Sequence, residues 1–194
     1  MLRNSTARGP QMSIRLLPIS EYDENYPGVI DLYRKSFPGA QRIPAWFLSF
    51  KLRNGKAGFS VLYAGDRWIG LIYLTEHKGV VFIHFLAIAE SCRSSGYGGQ
   101  VLAAISDAHA GKRIILNIEP LDEQAANYQQ RVKRKSFYER CGYSSSGYLV
   151  QEPGEQFEML ILGGTISKQE IEEIYRKLLG RILGRFLAPT VKKI

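Results

Sequence analysis

The chain has 194 residues, a net charge of +8 from 26 Lys and Arg against 18 Asp and Glu, and 45 % apolar side chains. A chain of this size and composition builds its own core without disulfides or a structural metal, and its two cysteines, Cys92 and Cys141, exclude a disulfide framework or a zinc knuckle. No apolar run approaches the ~18 residues of a membrane span. The segment Met1 to Gln11 has Arg3 and Arg8 but no apolar run of the kind a secretory signal needs, so the expected compartment is cytoplasmic.

Residues 1–12 read as a mobile tail. Ser13 to Ile19 reads as a strand, and residues 25–36 as a helix with Val29, Ile30, Leu32 and Tyr33 on one side. Pro44 opens a short second helix through Trp46, Phe47 and Phe50. Phe59 to Tyr63, Trp68 to Thr75 and Val80 to Ala89 follow as an antiparallel meander, turned at Ala64-Gly65-Asp66 and His77-Lys78-Gly79. Val101, Leu102, Ile105 and Ala108 have helical spacing. Ile114 to Ile118 is a short strand apolar enough to be covered on both faces.

Residues 124–140 form a polar helix, and Tyr143 to Val150 with Phe157 to Leu162 a final hairpin. Beyond them Ser167-x-x-Glu170 is a capping box, followed by a stripe through Ile171, Ile174, Tyr175, Leu178, Leu179, Ile182, Leu183 and Phe186. The expected class is α+β: a mixed, mostly antiparallel central sheet flanked by helices, with one βαβ crossover in its middle. The expected division is a tail over 1–12, a domain over 13–164, and a C-terminal amphipathic helix with a basic tail over 165–194. That helix is expected to dock on its own domain. A homodimer is a further possibility, since Gly180 and Gly184 permit close approach.

The charge is unevenly placed. Three arginines lie in residues 1–15. Residues 112–140 hold seven basic against four acidic side chains, and residues 168–193 seven against three. This distribution suits a local anionic site better than a nucleic-acid surface, because the aromatic interleaving and groove-reading motifs of nucleic-acid binders are missing. Glu172 and Glu173 dilute the basic face a membrane surface would need. Neither a nucleic-acid nor a membrane partner is expected.

There is no phosphate-binding Walker loop, no HExxH and no GxSxG elbow, and His77, His84 and His109 are not spaced as metal ligands; no metal is expected. One segment stands apart. The strand ending at Ala89 leads through Glu90-Ser91-Cys92 into Arg93-Ser94-Ser95-Gly96-Tyr97-Gly98-Gly99 and then a helix. Glycines let backbone approach a ligand closely, and the start of the helix offers free N–H groups and the positive end of its dipole. Together they make an anion site suited to phosphate.

Arg93-x-x-Gly96-x-Gly98, followed further along by Phe137-Tyr138-x-x-x-Gly142-Tyr143 at a helix end, resembles the GNAT superfamily of acyl-CoA-dependent N-acetyltransferases. The order of elements from Ser13 to Gly163 is also similar to that family's. The resemblance implies a GNAT-like acyl-CoA N-acyltransferase fold with acetyl-CoA as co-substrate. It implies that the strands over Phe82 to Ala89 and Ile114 to Ile118 part, and that the pantetheine arm pairs with the backbone of Leu86, Ala87 and Ile88. The pyrophosphate would lie on Arg93, Ser94, Ser95, Gly96, Tyr97, Gly98 and Gly99. Tyr138 would protonate the departing thiolate, as a phenol with a pKa of ~10 is able to do.

Where the family often has an asparagine seven residues before this tyrosine, the chain has Arg131, with Asn127 nearby; either is a candidate for the cofactor. His84 and Glu119 are the candidate bases for the acceptor amine, and Asn117, which shares the face of Glu119, is a candidate to bind the cofactor or the acceptor. The resemblance places the acceptor among Trp46, Phe47, Phe50, Tyr148 and Phe157, with Glu155 and Glu158, a setting for a small-molecule amine or a peptide acceptor. The contrasting reading is a CoA-binding interaction module without catalysis.

Overall fold

The computed structural model describes residues 13–19, 24–37, 58–186 and 189–194, excluding the side chains of 179–186. The tail 1–12 and the helix expected from Pro44 lie outside the described residues. The elements are β1 (Ile14–Pro18), α1 (Tyr26–Ser36), β2 (Phe59–Ala64), β3 (Arg67–His77), β4 (Val80–Ile88), α2 (Tyr97–Ala108), β5 (Arg113–Ile118), α3 (Tyr128–Arg140), β6 (Ser144–Glu152), β7 (Glu155–Leu162), α4 (Lys168–Phe186) and β8 (Thr190–Lys193). One sheet holds the eight strands in the order β1-β2-β3-β4-β5-β7-β6-β8. Every pairing is antiparallel except β4 with β5, which α2 joins as the crossover.

Four of these elements differ from the sequence reading. The helix expected from residue 124 begins at Tyr128, because Asp122 turns the chain first: its side chain accepts from the Gln124 N–H and its carbonyl from the Ala125 N–H, each at 3.0 Å. The strand β8, which follows α4 and pairs with β6 from Gln151 to Tyr148, was not expected. The hairpin strands β6 and β7 also run further than expected, to a tight turn at Pro153-Gly154. The Gln151 side chain closes this turn by donating to the carbonyls of Glu152 and Glu155 at 3.1 and 3.0 Å.

Alternation along β4 and β5 sorts side chains to two faces. Val81, Ile83, Phe85 and Ala87, with Ile114, Leu116 and Ile118, join Val101, Leu102 and Ile105 of α2 in one core cluster, and Phe137, Tyr138 and Cys141 of α3 pack against it. Val80, Phe82 and Ile115 face the other way, into a second cluster with Ile171, Ile174 and Tyr175 of α4. The helix α4 therefore docks on the sheet face opposite α2 and α3.

The capping box holds its start. Glu170 accepts from the Ser167 N–H and hydroxyl, both at 2.9 Å, and from Arg113 at 2.7 Å. These bonds, the one from Arg113 foremost, bring its carboxyl down to about 2. No helix among the described residues is long and apolar enough to cross a membrane.

Candidate active site

The sheet has a gap. β4 and β5 pair only from Val80↔Arg113 to Ile83↔Leu116, after which both strands continue without each other. The parting coincides with a bulge. Tyr73 faces Phe85 and Leu74 faces Ile83, so His84 is the extra residue in β4. A bulge of this kind bends and twists its strand, which turns the end of β4 away from β5.

Past the bulge, β4 stays paired with β3 as far as Gly70↔Ile88. The Ala89 N–H bonds to the Ile69 carbonyl at 2.8 Å. Successive residues of an antiparallel strand send their backbone groups to opposite sides. Ala87 is therefore turned to β3, and Leu86 and Ile88 are turned to the gap. Of the three residues expected to meet the pantetheine arm, two have backbone facing the gap.

At the end of β4 the chain makes a single 3₁₀ turn over Glu90–Cys92 and enters the loop. Ser94 and Gly96 take left-handed φ values of 61° and 78°. Gly96 caps α2 with no side-chain hydrogen bond, no acidic residue stands in the first turn, and the first helical bond runs from the Gln100 N–H to the Gly96 carbonyl at 3.2 Å. The N–H groups of Tyr97, Gly98 and Gly99 precede that bond, so the helix start presents uncapped donors. Arg93, Ser94, Ser95 and Gly96 are exposed beside it, and Arg93 is anchored by a 3.2 Å bond from Nε to the Ile88 carbonyl. Tyr97 itself is buried in the core.

Gly98 brings the two sequence motifs together. A Cβ at this position would stand 3.1 Å from Cζ of Phe137, so only glycine lets the start of α2 lie against α3 this closely. Tyr138 follows Phe137. Its ring packs edge-on to Phe137 and Tyr143 at centroid distances of 5.1 and 5.8 Å. The residue is half-buried, and its hydroxyl makes no hydrogen bond with the described residues. Burial, partly offset by Arg134, pushes the phenol up to about 12. It is a protonated donor with no acceptor among the described residues.

The other candidates are occupied. The Glu119 carboxylate accepts from Asn127 Nδ2 at 2.9 Å and from Arg134 Nη1, and lies 3.6 Å from Arg131. Burial alone would raise its pKa, but the Asn127 bond and the two guanidinium groups lower it below the usual range. Arg131 also donates to the Asn127 side chain at 2.7 Å and to the Pro120 carbonyl at 2.9 Å. Glu119, Asn127 and Arg131 thus form a clamp that fixes the start of α3 to the end of β5. A carboxylate held in this way is a weak proton acceptor.

Lys135 binds both oxygens of the buried Glu158 at 3.0 and 2.9 Å, a second tie between α3 and the sheet. His84 Nε2 lies 2.8 Å from the Thr75 hydroxyl, and its ring lies 4.0 Å from that of Phe82. Of the aromatic residues expected near the acceptor, Trp46, Phe47 and Phe50 lie outside the described residues. Among the described residues no group of His, Cys, Asp and Glu side chains is placed to hold a metal ion.

Sequence reading missed one cluster. Asn117 is the first residue of β5 beyond its last pair with β4. Its Nδ2 donates to the Tyr175 hydroxyl at 2.6 Å, and that hydroxyl donates to Glu152 at 2.7 Å. The available signal was Tyr175 itself, a tyrosine within an apolar stripe, whose buried hydroxyl needs a partner.

An uncapped helix start, a gap in the sheet and a phenol with no partner among the described residues, on the helix packed against that start, make up the candidate site. Residues 55–145 match the family model of the acetyltransferase (GNAT) domain. None of the curated proteins matches the chain.

Solved structures of the same fold include a chain from Bacteroides thetaiotaomicron assigned to the GNAT family of acetyltransferases. It is 22 % identical with a TM-score of 0.70, over 88 % of this chain and 98 % of that one. An aminoglycoside 6'-N-acetyltransferase complexed with coenzyme A is 18 % identical with a TM-score of 0.56, over 77 % and 96 %. Arabidopsis thaliana Naa50, bound to the bisubstrate analogue CoA-Ac-MVNAL, is 18 % identical with a TM-score of 0.51, over 77 % and 97 %. The chain has the GNAT fold, and its residues 55–145 are similar to the GNAT acetyltransferase domain.

Proposed function

We propose that this protein is an N-acetyltransferase that moves an acetyl group from acetyl-CoA to the primary amine of a small-molecule or peptide acceptor. The observation that carries the reading is the contact of Gly98 with Phe137, which holds the donor-rich start of α2 and the free phenol of Tyr138 on one side of the β4–β5 gap. Both halves suit the same ligand. The N–H groups at the start of α2, with Arg93 and the hydroxyls of Ser94 and Ser95, suit a pyrophosphate. The outward backbone of Leu86 and Ile88 suits an extended amide-bearing arm. Bound acetyl-CoA supplies an activated acyl group.

The protein's part is to position and to move protons. The acceptor amine attacks directly, through a tetrahedral intermediate, and Tyr138 gives its proton to the departing sulfur. Cys92 is buried, and burial raises the Cys141 thiol, which makes Cys141 a poor acyl-accepting nucleophile. The two CoA-bearing relatives act on or hold very different acceptors, an aminoglycoside in one name and a peptide in the other. For this chain, both classes belong in the test.

That test follows thiol release from acetyl-CoA against a panel of alkylamines, polyamines, aminoglycosides and peptides. Amine-dependent release supports the proposal. Acetyl-CoA binding with no release on any amine would make the chain a CoA-binding module instead.

A further inference from the structure

On the sheet face opposite α2 and α3, the gap between β4 and β5 opens beside a polar cluster with more acceptors than donors. Asn117 stands at the point of parting. It shares the face of Ile115, beneath α4. Its Nδ2 is spent on Tyr175 and, at 3.4 Å, on Glu152 Oε1, while its Oδ1 is buried with no partner among the described residues.

Tyr175 is 4 % exposed, and its ring stands edge-on to Phe82 at 5.5 Å. Glu152 Oε1 accepts from the Tyr175 hydroxyl at 2.7 Å, but Oε2 accepts from none of the described residues, and none of their cations pairs with the carboxylate. Glu155, the cross-strand partner of Glu152, has its Oε2 buried without a partner. A buried acceptor with no donor loses its hydration without compensation, so such groups call for an explanation. A compact donor of positive charge would satisfy these acceptors, and a primary ammonium, with three N–H bonds, fits that description.

We propose that Asn117, Glu152 and Tyr175 form the subsite for the acceptor's ammonium group, which makes the C-terminal helix α4 part of the active site. This rests on the acetyltransferase reading above. Acyl donor and acceptor then lie on opposite faces of the sheet and meet through the gap, the donor on the side of Tyr138 and the acceptor on the side of Tyr175.

The ammonium gives one proton to the Glu152 carboxylate. The freed nitrogen lone pair forms the C–N bond to the thioester carbonyl carbon. The C–S bond breaks, its electron pair stays on sulfur, and sulfur takes the Tyr138 proton. The phenolate regains the proton that the nitrogen sheds as the amide forms, and Glu152 returns its own to water. Burial raises the Glu152 carboxyl above its ordinary value; Glu155 from β7 adds to this, while the bonds from Tyr175 of α4 and Asn117 of β5 oppose it. That direction suits a proton acceptor for an amine.

The experiment titrates n-butylammonium, and separately the uncharged n-butanol, into the CoA-loaded full chain, following amide NMR shifts and measuring CoA affinity in the same samples. The expected result is saturable n-butylammonium binding with shifts at Asn117, Glu152 and Tyr175 and no matching response to n-butanol. Glu152→Gln should weaken it at least tenfold and abolish its decline toward acid pH. Tyr175→Phe, which keeps the ring against Phe82, should weaken it less. Both variants should keep wild-type CoA affinity, which also shows that they are folded.

Equal n-butylammonium affinity in wild type and both variants, an equal response to n-butanol, or no saturable binding to the CoA-loaded chain would overturn the subsite. Failure of the wild type to bind CoA would instead overturn the acetyltransferase reading on which it rests.

Discussion

Replacing Tyr138 with phenylalanine separates chemistry from packing. The ring would keep its contacts with Phe137 and Tyr143, and the lost hydroxyl leaves no described partner behind. The change in folding stability is therefore expected within about 0.5 kcal/mol. Affinity for acetyl-CoA should also hold, because the backbone donors at the start of α2 and along β4 are untouched. Turnover should not hold. A positioned general acid contributes roughly 10²–10⁴-fold, or about 3–5 kcal/mol of barrier, so kcat should fall by that factor.

The assay is thiol release with the best amine from the panel, alongside calorimetry of acetyl-CoA binding. With the phenol raised to about 12 by burial, Tyr138 stays protonated throughout the working range. The wild-type rate should show no alkaline decline from this group below about pH 10. Unchanged kcat in Tyr138→Phe would refute its role as the acid, and a loss confined to acetyl-CoA affinity would make it a packing residue.

Three other outcomes follow from the geometry. Gly98→Ala places a methyl group 3.1 Å from Phe137, whose ring must give by a few tenths of an ångström; weaker acetyl-CoA binding is expected by calorimetry, and an unchanged Kd would contradict the close-contact argument. Glu119→Gln leaves Arg131 and Arg134 without their carboxylate and should cost about 1–3 kcal/mol, with faster amide exchange at the start of α3; a loss of turnover with normal α3 protection would instead restore Glu119 as a base. The Glu170 carboxyl lies at about 2 when folded, below its ordinary 4.5, so its stabilisation is complete above the ordinary value and is lost as pH falls from there toward 2. Ser167→Ala should remove ~1 kcal/mol and raise exchange in α4, and exchange rates equal to wild type would show that the cap does not hold the helix.

The parts of the site written locally were legible in the sequence. The loop from Arg93 to Gly99 announces itself through glycine spacing after an apolar strand, and Tyr138 through its place before Gly142-Tyr143. The capping box of Ser167 and Glu170 is equally local, and it forms as read. What escaped the sequence depends on partners far along the chain.

The basic run Arg131 to Lys135 reads as attraction for phosphate or as a solvated face. Yet Arg131, Arg134 and Lys135 are spent on Glu119 and Glu158, and α3 has no fully buried residue to betray its packing. β8 offers a single buried apolar side chain, Val191, among lysines, so its strand exists only because β6 presents an open edge. The bulge at His84, which opens the gap, has no signature in an otherwise unbroken apolar strand. Glu152 and Tyr175 are 23 positions apart and meet only after β7 and α4 have folded back on the sheet.

The central claim is that the gap and the loop before α2 receive acetyl-CoA, and calorimetry tests it most directly. The account predicts saturable one-to-one binding of acetyl-CoA, weakened by Arg93→Ala and falling with added salt, since it sets the phosphates against Arg93 and the start of α2. No binding heat at millimolar acetyl-CoA would contradict it.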